Sequence, residues 1–417
     1  MKIQTNTKQA DNKESSLGKL LILTSSIIAL AAICTFFVLK DSEIEKAGPH
    51  AIESIDIDTL HIASNSDSLS TRPVEKKTRY IHPGTVFFDE IGRRCLIVQD
   101  EDYNLSAIAK GKAVWQFGLD KPVLSDILNV RCKAGRVLAF NTSDEVYCIK
   151  VSGNEVANFP IDLEFDISGE IKKRRDKILV PAHHKILLIE AHSGNIEEIK
   201  MDKDLIKGTI QEIVPFQYKG ENKIAYRTAR NEIGIVNHQG KQEIKPVKLS
   251  DKIGILKLDV DPLPLYERIV AFGDDGKAHI INFKSQTFGL SLTTNPDSNA
   301  KALLVDLHSD ERKDYLIATD RTITIKGYNK KDFITFTSFE VPSKIKQIVT
   351  RKIKGEQTIE VTTDNHITYW YNAFGDKTVD APIPLDAITG TWKWRGDSIH
   401  IAGLHQSTLE SINVKAQ

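Results

Sequence analysis

The sequence predicts an all-β protein in which eight copies of one structural unit close into a ring. Short apolar segments recur about every 40–46 residues, beginning at Arg94, Arg136, Lys177, Lys223, Arg268, Asp314, Thr358 and Ser398. Each is followed by a polar turn and a second strand in which apolar and polar residues alternate, the pattern of a β-hairpin. A repeat of this length is typical of a four-stranded blade. We therefore predict an eight-bladed β-propeller over residues 73–417, with a seven-bladed ring and one extra hairpin as the alternative.

Each unit is predicted to contain four strands, and the second unit shows the pattern most clearly. Residues 137–140 form an apolar run, residues 146–151 alternate, and an outer run ends at residues 159–161. Asn, Asp, Gly and Ser fill the turns between these runs, because they tolerate or support the turn conformations that other residues avoid. A further apolar strand precedes the hairpin in most units, for example at residues 127–131, 210–216 and 345–351.

The eighth unit ends at Gln417 after its third strand. An open ring would leave unpaired strand edges, which proteins generally avoid. We therefore predict that residues 74–81 supply the outer strand of the eighth unit and close the ring. Deletion of residues 73–82 should then abolish most of the folded signal.

The N-terminal region predicts a membrane anchor. Residues 20–39 carry no charge, and their length matches a helix that crosses a bilayer. A cleaved signal peptide is the alternative, but no Ala-x-Ala site follows the apolar run. Lysines precede the span and acidic residues follow it, so we expect residues 1–19 in the cytoplasm and the propeller outside it. The Ser- and Asp-rich residues 41–72 are predicted to be a linker, in which residues 52–62 alternate enough to form a strand.

Composition argues against several classes of function. Lys plus Arg and Asp plus Glu both number 56, so the chain lacks the charge excess expected of a nucleic-acid-binding protein. Cys95, Cys132 and Cys148 lack metal-ligand spacing. We expect them to be small buried side chains, with a Cys132–Cys148 bridge as the alternative. No GxSxG, HExxH or phosphate-binding glycine loop is present, so we predict that the protein is not an enzyme.

The first unit closes with Trp115-Gln116-Phe117-Gly118-Leu119. Together with the second unit, this arrangement resembles the quinoprotein-like and WD-like families of β-propeller repeats, and Trp115 sits at their tryptophan-docking position. By layout, the chain is also similar to periplasmic eight-bladed propellers that assist outer-membrane protein assembly. The quinone-dependent dehydrogenases of this fold carry an adjacent pair of cysteines, which is missing from this sequence. The resemblance therefore implies the fold and carries no function on its own, and the missing cysteine pair argues against a quinone cofactor.

One loop in the sixth unit, with the sequence DLHSDERKD, resembles the calcium loop of integrin-type propeller repeats, DxDxDGxxD. The matching residues are Asp306, Asp310 and Asp314, whose carboxylates are ligands that calcium accepts. His308 and Glu311 depart from the pattern. A polar turn between two strands is the alternative.

We expect a non-enzymatic, single-pass membrane protein whose propeller holds a partner protein on one flat face, as an extracytoplasmic scaffold. Envelope protein assembly in a bacterial inner membrane, with the propeller in the periplasm, is the working hypothesis. The alternative is a sensor that binds a ligand, a carbohydrate or calcium in the funnel. Residues 172–175 (KKRR) and His183-His184 are predicted to be surface turns, and the basic run could also dock an acidic partner.

Overall fold

The computed structural model describes residues 80–109, 112–202, 204–264, 266–292, 300–308, 310–328, 333–353, 355–379, 382–395, 398–406 and 408–415. All of them belong to one compact unit. This part of the chain forms thirty strands in eight antiparallel sheets, six with four strands and two with three. The prediction of an all-β, eight-bladed propeller is confirmed.

Blades 1 to 4 contain the first sixteen strands. Blade 1 comprises β1 (Tyr80–Phe88), β2 (Arg94–Asp100), β3 (Leu105–Ala109) and β4 (Lys112–Phe117). Blade 2 comprises β5 (Leu128–Cys132), β6 (Gly135–Asn141), β7 (Glu145–Lys150) and β8 (Ile161–Asp162). Blade 3 comprises β9 (Lys172–Arg174), β10 (Lys177–Ala182), β11 (Lys185–Glu190) and β12 (Ile196–Lys200). Blade 4 comprises β13 (Ile210–Tyr218), β14 (Glu221–Thr228), β15 (Glu232–Asn237) and β16 (Val247–Lys248).

Blades 5 to 8 contain the remaining strands. Blade 5 comprises β17 (Ile255–Asp261), β18 (Arg268–Gly273), β19 (Lys277–Asn282) and β20 (Thr287–Ser291). Blade 6 comprises β21 (Lys301–Val305), β22 (Asp314–Thr319), β23 (Thr322–Tyr328) and β24 (Phe333–Glu340). Blade 7 comprises β25 (Ile345–Ile353), β26 (Glu356–Thr363) and β27 (Thr368–Tyr371), and blade 8 comprises β28 (Ala387–Arg395), β29 (Ser398–His405) and β30 (Thr408–Lys415).

The strands of each blade are hydrogen-bonded in chain order. The first strand lies nearest the ring axis, because the first strands of successive blades contact one another from β5 to β25. Neighbouring strands run in opposite directions, so the turns between the first and second strands and between the third and fourth strands share one face. We call this the lower face. The turns between the second and third strands and the connections between blades lie on the opposite, upper face.

The ring is closed by apolar packing between blade 8 and blade 1. Leu96 and Val98 of β2 are buried in one cluster with Ala402 and Leu404 of β29, and β1 contacts both β28 and β29. Clusters of the same kind fill the other blade interfaces, for example Val137 and Ile178 between blades 2 and 3. Each sheet therefore buries its apolar side chains against its neighbours.

The predicted closing strand needs a correction at its end. Tyr80 and Ile81 belong to β1, where Tyr80 pairs with Asp100 of β2, so they are part of the first blade. Residues 74–79 lie outside the described residues, as do the predicted anchor at residues 20–39 and the linker at residues 41–72. Among the residues that the structure does describe, there is no helix with the length and apolarity to span a bilayer.

Three of the outer strands, in blades 2, 4 and 7, fall short of the four-stranded pattern that the sequence predicts for each unit. In blades 2 and 4 they shrink to β8 and β16, and in blade 7 the predicted outer strand makes only isolated bridges to β27. Each of these segments contains proline, at Pro160, Pro246, Pro382 and Pro384. Proline has no backbone N–H to donate, so it interrupts a β-ladder and is confined to sheet edges.

The alternative of a Cys132–Cys148 bridge is excluded by strand register. Cys132 pairs with Gly135 and Cys148 pairs with Ala139, four residues further along β6. That offset is about 13 Å along the strand, beyond the roughly 7 Å that a disulfide can span between Cα atoms. Cys95, Cys132 and Cys148 are all free, and burial raises the pKa of the Cys148 thiol.

Candidate protein-binding face

Exposed aromatic side chains are concentrated towards the lower face. Of the described residues, four phenylalanines are exposed, and each lies in a lower-face turn or in the strand half next to one: Phe88, Phe288, Phe336 and Phe374. Ile91, in the β1–β2 turn, is 75% exposed. Single exposed apolar residues are ordinary on a protein surface. Their grouping on one face is a feature of interaction surfaces.

A groove of about 590 Å³ opens on this face between blades 1 and 2. One wall is the β1–β2 turn with Phe88, Asp89 and Glu90. The other wall is formed by the β5–β6 turn and the end of β7, with Arg136 and Lys150. Since both walls are turns that project from rigid sheets, the groove presents varied side chains on a fixed support.

Asp89 fixes the blade 1 wall. Its Oδ1 accepts hydrogen bonds from the backbone N–H groups of Ile91 at 3.2 Å and Arg93 at 2.7 Å, and its Oδ2 accepts one from Arg93 Nε at 2.7 Å. Burial raises the pKa of Asp89, but the bonds from Arg93 outweigh it and hold the pKa below its usual value. The turn therefore holds Ile91 out in solvent, and the Arg94 guanidinium lies 5.2 Å from the centre of the Phe88 ring.

The blade 2 wall is positively charged. Gly135, with φ +99°, makes the tight β5–β6 turn that a side chain would strain. Arg136 and Lys150 are exposed. Neither side chain has a hydrogen-bond or ion-pair partner among the residues that the structure describes. Their charges are therefore available to a bound molecule.

Trp115 holds the two walls together. Its indole Nε1 donates a hydrogen bond to the Val151 carbonyl of blade 2 at 3.1 Å, and its ring lies directly against Gly153. Phe87 of β1 packs on the same indole, with 6.1 Å between ring centres. Trp115 therefore docks blade 1 against blade 2, which is the role that its position in the repeat predicts.

The basic run at residues 172–175 is not the predicted surface turn. Its first three residues form β9, the innermost strand of blade 3, which pairs with β10. Lys173 Nζ donates a hydrogen bond to the Asn129 carbonyl of blade 2 at 3.1 Å, so it links neighbouring blades. Only Arg175 lies in the turn, at φ +56°. His183 does lie in the two-residue turn between β10 and β11, as predicted.

In the blade 6 loop, the carboxylates of predicted calcium ligands form hydrogen bonds with other groups of the same loop. Asp306 accepts hydrogen bonds from the N–H groups of Asp310 at 3.2 Å and Glu311 at 3.1 Å. Asp314 is nearly buried and bonds His308 Nδ1 at 2.8 Å. No three His, Cys, Asp or Glu side chains within the described parts of the chain come together as a metal site. Calcium binding therefore stays a prediction, and this geometry does not favour it.

The same loop carries a small aromatic cluster. The His308 ring lies 5.7 Å from Phe336 and 6.2 Å from Phe374, edge-on to both. Burial raises the pKa of Asp314, although its bond to His308 opposes that effect. The cluster adds a second exposed aromatic area to the lower face, at blades 6 and 7.

Sequence reasoning missed the groove residues Phe88, Arg136 and Lys150, and the exposed Ile91 beside them. One signal was available, since Ile91 is an apolar side chain inside a turn that is otherwise polar. The two walls are more than forty residues apart in the chain, so only the stacking of blades brings them together.

No family model matches the sequence, and no curated protein does. Among solved structures, the chain is similar to BamB from Moraxella catarrhalis, with a TM-score of 0.49 and 12% identity over 82% of this chain and 98% of that one. It is also similar to BBS1N, solved in complex with ARL6DN, with a TM-score of 0.47 and 14% identity over 68% of this chain and 89% of that one. This likeness concerns the general fold and does not extend to a function.

Proposed function

We propose that this protein is a non-enzymatic propeller that binds a partner protein on its lower face, with the groove between blades 1 and 2 at the centre of the interface. The observation that carries the proposal is the position of the four phenylalanines that are exposed in the described part of the chain, each of which lies towards that face. Aromatic residues and arginine are enriched in the interfaces and hot spots of protein complexes. The groove adds Arg136 and Lys150, two cations that nothing described in the chain neutralises.

A protein partner fits this groove better than a small ligand does. Small-molecule sites enclose most of their ligand in an apolar pocket. Here Glu90, Arg136 and Lys150 are exposed on the walls, and Ile91 projects beyond them. An apolar centre with a charged rim is the usual layout of a protein interface.

The setting of the propeller is proposed from the sequence alone. The uncharged length of residues 20–39 and the lysines before it support a single membrane anchor with the propeller outside the cytoplasm. A bacterial inner membrane, with a role in envelope protein assembly, is the setting that we propose. Protease added to intact spheroplasts should then degrade the propeller, and a propeller that is protected until the membrane is lysed would contradict this topology.

Site-specific photo-cross-linking in native cells tests the binding face. A benzophenone amino acid replaces Ile91 or Phe374 on the lower face, or, as matched controls, Leu124 or Leu205 in upper-face connections, all of which are exposed. We expect discrete protein adducts from the lower-face positions only. Adducts confined to the upper-face positions, or equal from both faces, would contradict the proposal.

A further inference from the structure

We infer that the groove between blades 1 and 2 binds an acidic, apolar segment of the partner, namely a stretch of chain in which carboxylates stand beside a hydrophobic side chain. This inference rests on the proposed function, because it names the partner chemistry for the same groove. It follows from how the charges and the apolar side chains divide between the two walls.

Most of the charged groove side chains that lack an ion-pair partner among the described residues are positively charged. On the blade 1 wall, the Asp89 carboxylate is already occupied by Arg93 and two backbone N–H groups. Glu90 is therefore the only wall carboxylate without a partner among the described residues. Arg136 and Lys150 stand on the opposite wall without partners, and Lys133 is exposed in the same β5–β6 turn. A segment that enters the groove next to blade 2 gains from carrying negative charge.

Carboxylates suit this wall in geometry as well as in sign. An arginine guanidinium can donate two parallel hydrogen bonds to one carboxylate, and lysine adds a point charge. Because both cations are exposed before binding, a partner can reach them without first breaking an internal ion pair. Burial of the complex would then strengthen these bonds relative to their value in water.

The apolar part of the segment is expected on the blade 1 side. Phe88, the last residue of β1, lines this wall and is 40% exposed. Ile91, in the turn beside it, is 75% exposed. The Arg94 guanidinium lies over the Phe88 ring. The groove therefore sets an orientation in which hydrophobic side chains face blade 1 and carboxylates face blade 2.

An anionic membrane surface would also attract exposed cations beside apolar side chains. The shape and charge of this site favour a peptide. The cations form one wall of a groove, where a flat bilayer does not reach, and the facing wall carries Glu90, which repels anionic headgroups. We therefore treat membrane binding as an outcome that would overturn the inference.

The test uses the full chain in mild detergent and two fluorescein-labelled ten-residue peptides. Both contain the same Leu and Phe residues, and one carries Asp and Glu where the other carries Lys. Fluorescence anisotropy measures the Kd of each peptide. We expect the acidic peptide to bind at least about tenfold more tightly than the Lys-containing peptide. The R136E/K150E variant should reverse that preference, because two favourable charge pairs become two repulsive ones, each worth a few-fold in Kd at a partly exposed site.

Matched variants separate the groove from general surface effects. Lys252→Glu removes an exposed cation on the upper face and should leave the binding unchanged. Ile91→Asp should weaken binding of the acidic peptide about tenfold, whereas Leu124→Asp, at a residue that is 54% exposed on the upper face, should not. All five substituted positions are exposed, so circular dichroism should show that every variant folds. Raising the salt from 0.15 M to 0.5 M should weaken binding of the acidic peptide in the wild type.

Several results would overturn the inference. These are equal affinity for the two peptides, a preference that survives R136E/K150E, and peptide-independent binding to phosphatidylglycerol vesicles that the same variant abolishes. A cross-link from position 91 to a second copy, or to residues 52–62 of the same chain, would also overturn it. If position 91 still cross-links to a separate protein while the acidic peptide fails, the partner chemistry is wrong and the binding face stands. If both fail, the proposed function fails as well.

Discussion

Replacing Gly153 with alanine should destabilise the propeller more than the same replacement at Gly92. Both glycines have positive φ, at +88° and +78°, and an alanine there costs about 1–2 kcal/mol. Only at Gly153 does the added Cβ meet another side chain, lying 2.6 Å from Cγ and 2.8 Å from Cδ2 of Trp115, whereas nothing lies within 4 Å at Gly92. Carbon atoms pack at about 3.5–4.0 Å, so the indole must move about 1 Å. Overpacking of this kind costs about 1–3 kcal/mol.

The free energy of unfolding, measured by urea titration with far-ultraviolet circular dichroism, tests this difference. We expect Gly153→Ala to lose about 1–3 kcal/mol more than Gly92→Ala, the excess that overpacking against the indole adds. In a Trp115→Gly background that excess should disappear, because neither the indole ring nor Cβ of residue 115, which lies 2.9 Å from the new methyl group, remains. A double-mutant cycle isolates the contact. Equal losses at the two glycines, or an excess that persists without the indole, would refute the docking role of Trp115.

Three further predictions follow from the described contacts. Asp261 and Arg268 form a buried ion pair at 2.9 Å, with side chains 1% and 2% exposed. Asp261→Ala should lower the free energy of unfolding in urea by about 3–5 kcal/mol, because it leaves Arg268 buried without its partner carboxylate. A loss below about 1 kcal/mol would contradict this prediction. Burial raises the pKa of Asp386, but hydrogen bonds from Gln406 N–H and His366 lower it overall. The ionised Asp386 carboxylate therefore stabilises the folded protein above about pH 4, and this stabilisation is lost as the pH falls through the lowered pKa. When the pH falls from 5 to 3, the urea midpoint of unfolding should therefore drop less for Asp386→Asn than for the wild type. An equal drop in the two proteins would argue against a stabilising role of the Asp386 carboxylate. Calcium bound by the blade 6 loop should give a heat of binding that Asp-to-Asn variants of the loop abolish, and a heatless titration would refute calcium binding.

The second strand of each blade could be predicted closely from the sequence. The predicted start at Lys177, for example, is the first residue of β10, and Arg268 is the first residue of β18. These strands are packed between neighbouring blades on both sides, so most of them, such as β10 and β18, contain a continuous apolar run. Such runs stand out against the polar turns that bound them.

The innermost strands could be predicted only where they are apolar. β13 and β25 begin at Ile210 and Ile345, as predicted, whereas β9 consists of Lys172 to Arg174, which is as polar as a turn. An innermost strand has one edge at the ring axis and many exposed side chains. Burial therefore places little constraint on its sequence, and pairing with the second strand decides where it begins and ends.

The candidate site depended on contacts between blades. Nothing in the sequence connects Ile91 with Lys150, which lie in turns of different blades. The sequence did indicate a partner on one propeller face, but it did not indicate which face. That choice required the direction of every strand, because strand direction decides on which face each turn and its exposed side chains lie.

By itself, the sequence determined that eight short β units follow one another, because the apolar runs and turn residues recur at a regular spacing. The tertiary structure alone decided that Phe88 faces Arg136 and Lys150 across one groove, with Ile91 exposed in the turn beside it. The physical reason is that strand formation depends on local patterns of side chains. The groove depends on the packing of separate sheets around Trp115, and that packing joins residues that are distant in the chain.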